Sequence, residues 1–173
     1  MLFLAALVVL VQLALAVPTS NTKNSRRLAV HLTNAITGDC DSLVEESAWV
    51  ITNLTSFQAY PSANSISYFA FSFEDINPGL GLKTSCSNYL PRGSNATVEN
   101  DRYHLCDSHD VQFKYNGQIL QVERWYQDPC LGKPPYDSAI AHGRANVTFT
   151  KTRAQDGVLA TQVRMEMPIT SLS

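Results

Sequence analysis

The stretch Asp101–Cys130, DRYHLCDSHDVQFKYNGQILQVERWYQDPC, decides the fold. At its centre Asn116-Gly117 predicts a tight β-hairpin, because both residues tolerate the positive φ that a type I′ turn needs at its two central positions. In that register Tyr115 faces Gln118, Phe113 faces Leu120, Val111 faces Val122 and Gln112 faces Gln121. The apolar pairs share one face and mostly polar pairs the other, which predicts a half-buried antiparallel ribbon. Cys106 and Cys130 stand near its ends. The stretch carries no catalytic signature, so it speaks for fold and compartment rather than for chemistry.

The texture on both sides is also β. Residues 48–57 (AWVITNLTSF) are rich in β-branched and aromatic side chains. Residues 65–73 (SISYFAFSF) alternate, with Ser67, Phe69, Phe71 and Phe73 on the face expected in the core. Short strands are expected at 81–87 and 102–106, with a polar loop at 87–100. Residues 128–143, with three prolines and two glycines, read as a long surface loop. One helical turn is expected at 42–47. For the last hairpin, a three-residue loop Gln155-Asp156-Gly157 with a bulge pairs Phe149 with Val163 and Val147 with Met165. This predicts strands 145–154 and 158–169. The sum is about eight or more strands, an all-β antiparallel barrel or sandwich.

The chain opens MLFLAALVVLVQLALAVPTS. An uncharged apolar run ending in Ala14-Leu15-Ala16 has the pattern of a secretory signal peptide over residues 1–16, too short for a membrane span. A polar tail or short pro-segment follows at 17–39, with Arg26-Arg27 as a dibasic processing signal. Residues 40–173 form the single β-barrel domain. Four cysteines, Cys40, Cys86, Cys106 and Cys130, read in a secreted chain as two disulfides with three possible connectivities. Asn53, Asn95 and Asn146 each begin an N-glycosylation sequon. The net charge of −2 argues against nucleic acid or an anionic membrane as partner.

Candidate chemistry is sparse. His31, His104, His109 and His142 are scattered without metal spacing, and no H-E-x-x-H or G-x-S-x-G is present. Asp107-Ser108-His109-Asp110 places triad residue types side by side, but a triad needs them to converge from separate elements, so a solvated turn is the reading. Glu74-Asp75, on a strand, point to opposite faces. Glu45-Glu46 do not face together either. No catalytic residue, cofactor or metal is assigned. Trp49 and Trp125 are expected to pack in the core or between sheets. The other reading makes Trp125 and Tyr126 part of a binding surface.

Several features in order resemble the family of the major Alternaria allergen, small secreted fungal β-barrel proteins. They are Cys40 followed by Trp49-Val50-Ile51, the Ser65–Phe69 strand, Lys83-Thr84-Ser85-Cys86-Ser87, Tyr103-His104-Leu105-Cys106 and Val111–Tyr115 with its return. Trp125–Cys130 and Pro134-Pro135-Tyr136-Asp137 also look like that family. The resemblance implies a secreted allergen, effector or elicitor that binds a host extracellular protein without catalysis, as monomer or dimer. It implies a Cys86–Cys106 disulfide, and makes Cys40 the cysteine that can bridge subunits. The family pattern has a second cysteine pair near its end, where this chain has only Cys130. An intrachain Cys40–Cys130 bond accounts for all four cysteines and removes the dimer bridge. A small-molecule or glycan-binding module is the alternative function, and a hydrolase the third.

Overall fold

A computed structural model describes residues 41–173. The expected signal peptide, the expected tail with Arg26-Arg27, and Cys40 lie outside the described residues. All regular structure in the described residues is β. Ten strands run in order: β1 Trp49–Ala59, β2 Tyr68–Asp75, β3 Leu82–Tyr89, β4 Asn100–Leu105, β5 Val111–Tyr115, β6 Ile119–Gln127, β7 Ser138–Asn146, β8 Thr150–Ala154, β9 Gly157–Met167 and β10 Ile169–Leu172. They form two antiparallel five-stranded sheets, ordered β3-β2-β1-β9-β8 and β10-β7-β6-β5-β4. The expected all-β antiparallel class is the one observed.

The core lies between the sheets. Phe69, Phe71 and Phe73 of β2 point inward, as their alternation predicts. Phe69 stacks on Tyr115 at 4.5 Å between ring centroids, and Phe71 meets Phe113 edge-on at 5.0 Å. Trp49 closes the other end against Phe73 at 5.2 Å. Each such aromatic pair adds about 0.5–1.5 kcal/mol beyond the area it buries. Cys86 and Cys106 form a disulfide with Cα atoms 4.1 Å apart. It closes the seam between the sheets, where Asp107 N–H also donates to Ser85 O at 2.8 Å. Cys130 is disulfide-bonded too.

Four local expectations are corrected. The central hairpin is shifted by two residues: Tyr115 pairs with Leu120, Phe113 with Val122, Lys114 with Gln121, Gln112 with Glu123 and Val111 with Arg124. The turn therefore centres on Gly117-Gln118, with Gly117 at φ 96° in the first central position. Asn116 stays outside the central pair and caps the turn, its Oδ1 accepting from Gln118 N and Ile119 N at 3.1 and 2.9 Å. An even shift keeps every side chain on its expected face, which is why the pattern alone did not reveal it.

The last hairpin turns at Gln155-Asp156, with Ala154 opposite Gly157 and Thr150 opposite Thr161. Phe149 does not pair with Val163, nor Val147 with Met165, and the expected strand 145–154 is divided between the two sheets. The stronger partner of β9 is β1, paired from Trp49↔Met167 to Ala59↔Gly157. A Cβ on Gly157 would press into the β1 backbone, so that glycine serves strand contact rather than the turn.

Residues 128–143 are only partly loop, since β7 begins at Ser138. Its inward positions are Ala139, Ala141 and Gly143, and at Gly143 the Trp49 ring fills the space that a Cβ would need. No helical turn forms at 42–47. Side chains hold that segment instead, with Leu43 N donating to Asp128 Oδ2 at 2.9 Å and Ser47 N to Asn77 Oδ1 at 2.7 Å.

Candidate functional site

The second sheet presents its outer face to solvent, and β6 is its middle strand. Along β6, Leu120, Val122 and Arg124 point inward, while Gln121, Glu123 and Trp125 point outward. Trp125 is 55% exposed, so the expectation that it packs in the core is corrected. Tyr126 belongs to the opposite face, half-buried, with the Arg124 guanidinium 5.8 Å from its ring centre. The two residues expected to share a binding surface are thus separated by the pleat of the strand. Trp49 is fully buried, as expected.

Around Glu123 the outer face carries a continuous polar network. Gln112 Nε2 donates to Glu123 Oε2 at 2.6 Å, and His142 Nδ1 lies 3.3 Å from Oε1. The Tyr103 hydroxyl interacts with the same carboxylate, and Lys114 sits over the Tyr103 ring at 4.8 Å. Burial and the Glu123 charge push the Tyr103 hydroxyl pKa upward, so the phenol keeps its proton and donates it. Burial raises the Glu123 pKa, but the bonds from Tyr103 and Gln112 and the His142 contact outweigh it, and the net direction is down. Leu105, 58% exposed, lies in the same row as Gln112, while Ile140 pairs with Trp125. Apolar groups therefore flank a fixed polar ladder, the mixture that buried protein contacts use. Sequence reading missed this grouping, because Tyr103, Gln112, Glu123 and His142 come from four different strands.

At its far end His142 Nε2 lies 3.0 Å from Ser173 Oγ. Serine, histidine and glutamate thus stand in the order of an acyl-transfer relay. The setting does not support that use. The Ser173 N–H donates to Ile140 O at 3.0 Å, so it is already committed and not available to an oxyanion. Ser108, His109 and Asp110 lie in a solvated turn, as expected, with Ser108 Oγ 3.4 Å from Asp110 Oδ2. Among the described residues no cluster of His, Cys, Asp or Glu could hold a metal ion.

A second polar group lies under the inner face. Asp75, 3% exposed, forms a salt bridge with Arg124 and accepts from Trp49 Nε1 at 3.2 Å and Asn77 N at 2.8 Å. Glu45 accepts from the same indole nitrogen at 3.0 Å. Burial raises the Glu45 pKa, with Arg124 and Trp49 pulling it partly back. This group ties the segment before β1 to the end of the sandwich. At the opposite end a cleft of about 240 Å³ opens between Glu99, Tyr115, Phe149 and Lys151. Burial and then Glu99 push the Tyr115 hydroxyl there up to about 12. The three sequon asparagines, Asn53, Asn95 and Asn146, are all exposed.

No family model matches this chain, and no curated protein sequence does. A crystal structure of the Alternaria alternata allergen Alt a 1 is similar at a TM-score of 0.50 and 10% identity, covering 78% of this chain and 95% of that one. A crystal structure of the Alternaria alternata major allergen Alt a 1 gives a TM-score of 0.49 and 13% identity, over 72% and 94%. At 10% identity the first likeness shows a shared fold. It agrees with the resemblance carried by the order of the cysteine and aromatic segments.

Proposed function

We propose that this chain is a secreted fungal binding protein related to the Alternaria allergens, an effector or elicitor that engages a host extracellular protein without catalysis. The observation that carries the reading is the outer face of the second sheet. Trp125 and Leu105 are more than half exposed there, on either side of the Tyr103–Gln112–Glu123–His142 network. Exposed tryptophan beside pre-positioned polar groups is the composition of an interface centre rather than of an ordinary solvated face. The apolar leader and the paired cysteines support secretion, and the shared fold supports the kinship. The test is capture from host extracellular fluid with the mature protein as bait. Specific capture that Trp125→Ala and Leu105→Ser each reduce at least tenfold is the expected result. Capture unchanged by both substitutions would move the site elsewhere.

The second reading is a small-ligand module, favoured by the cleft at Tyr115, Phe149 and Lys151. The space between the sheets is filled by Trp49 and the phenylalanines, so a ligand would have to use that open cleft. Chemical shifts of Tyr115 and Phe149 that stay fixed against a panel of small aromatic and sugar ligands would remove this reading.

A further inference from the structure

Asn53 is the only non-glycine residue at positive φ among the described residues, at 55°. It lies in the middle of β1, the central strand of the first sheet. The cause is a β-bulge. Thr52 pairs with Ser72 and Thr55 with Ala70, so Asn53 and Leu54 together oppose the single residue Phe71. The bulge switches the inward side of the strand: Trp49 and Ile51 are buried before it, Leu54 and Ser56 after it. Asparagine is among the few residues that enter the left-handed region readily, so the position suits it. The result is an asparagine pushed out of the sheet into solvent, at the head of the sequon Asn53-Leu54-Thr55.

On the other side of β1 the register with β9 is unbroken. Thr52 pairs with Arg164 and Leu54 with Gln162, which leaves Asn53 opposite Val163. Val163 is 81% exposed, the most exposed of the large hydrophobic side chains among the described residues. Its neighbours along the strand, Gln162 and Arg164, are polar, and among the described residues nothing covers the valine. Directly opposed residues in an antiparallel pair have Cβ atoms about 4.5–5.5 Å apart. A sugar joined to Asn53 starts within that reach, and its apolar ring face can lie on the valine.

We propose that Asn53 carries an N-linked glycan whose first N-acetylglucosamine packs over Val163. The Asn53 amide nitrogen bonds to the anomeric carbon of a lipid-pyrophosphate-linked oligosaccharide, the lipid pyrophosphate leaves, and the amide gives up one proton to the transferase. The glycan then covers the outer face of the first sheet and leaves the Trp125 face of the second sheet bare. The inference rests on the secreted, eukaryotic reading of the chain.

The full chain is expressed in a eukaryotic secretory host twice, once with residues 1–16 and once with a proven signal peptide in their place. Failure of the first alone counts against the leader, while the second still tests Asn53. Peptide mapping is expected to find Asn53 glycosylated, and Asn53→Gln to lose one glycan. An unmodified Asn53 in the protein from the proven leader overturns the proposal. Packing is read by trimming. An endoglycosidase that leaves the first sugar keeps Tm unchanged. An amidase that removes the whole glycan lowers it by about 2 °C, the response of a chain of this size to under 1 kcal/mol. In Val163→Thr the amidase shift should largely vanish. An equal shift in both proteins overturns the contact between sugar and valine.

Discussion

Glu123 and Arg124 are adjacent on β6, yet the pleat sends them into opposite worlds. Arg124 points into the sandwich, 6% exposed, paired with Asp75 and close to Glu45. Among the described residues its Nε has no hydrogen-bond acceptor. Glu123 points outward, where Tyr103, Gln112 and His142 surround its carboxylate. The inner group is held in place by the fold and anchors the segment before β1. The outer group is held in place by its own neighbours and faces solvent beside Trp125. Burial, not charge type, divides the two roles: an inner ion loses water on every side and must be matched, while an outer one keeps part of its hydration.

The largest way to break this comparison is to remove one inner partner. Arg124→Ala leaves Asp75 charged and buried without its cation, a loss of about 3–5 kcal/mol for a broken buried pair. The double change Asp75→Asn with Arg124→Met removes both charges, keeps an amide oxygen to accept from Asn77, and should recover part of that loss. Chemical denaturation of the three proteins checks it. A single variant within 1 kcal/mol of the parent would show that the pair contributes little.

Next in size is Gly143→Ala. A Cβ at Gly143 would stand 2.6 Å from the Trp49 ring and 2.9 Å from Met167 Sδ. Backbone and indole must both shift, and overpacking of this kind costs about 1–3 kcal/mol. The near-ultraviolet dichroism of Trp49 should change along with the unfolding midpoint. Conversely, Trp49→Phe with Gly143→Ala should restore part of the stability.

These contacts mark where the sequence was legible. Alternation placed Phe69, Phe71 and Phe73 in the core, and the hairpin residues on their proper faces, because a two-residue period reports the face directly. It could not report long-range pairing. The β1–β9 register, which joins residues about a hundred positions apart, outweighed the local turn chemistry at Gln155-Asp156-Gly157. The bulge at Asn53 did leave a trace, since the inward residues run 49, 51, 54, 56 and break the period once. The outer-face site left none beyond Trp125, the one member of it that the sequence offered for a binding surface.

A smaller effect separates the two faces by pH. The Glu123 pKa is lowered on folding, so its contribution is present above the unfolded value of about 4.3 and is lost as pH falls through the lower folded value. The Glu45 pKa is raised, mainly by burial, so its contribution is complete below about 4.3 and is lost as pH rises through the raised folded value. Glu123→Gln should therefore flatten the loss of stability at the acid end. Glu45→Gln should flatten the decline on the less acid side of 4.3. Urea midpoints between pH 3 and 7 read both slopes. The comparison fails if the two substitutions change the same limb.

The smallest expected effect sharpens the comparison most. Trp125→Ala removes the largest side chain of the outer face, yet more than half of that side chain already meets water. Area bookkeeping therefore gives a modest loss, partly offset by the rotamer freedom of a side chain that folding fixes. A change in stability within about 0.5 kcal/mol is expected, the range of surface substitutions that touch no buried feature. The buried Trp49 is the control, because its removal opens a cavity beside Phe73 and strips a donor from Asp75. Partner capture should respond in the opposite sense, with Trp125→Ala weakening it while the protein remains folded. Stability preserved and capture lost would identify Trp125 as a residue exposed for recognition. A loss of stability at Trp125 comparable to that at Trp49 would instead make it part of the packing, and the outer face would lose its claim as the binding surface.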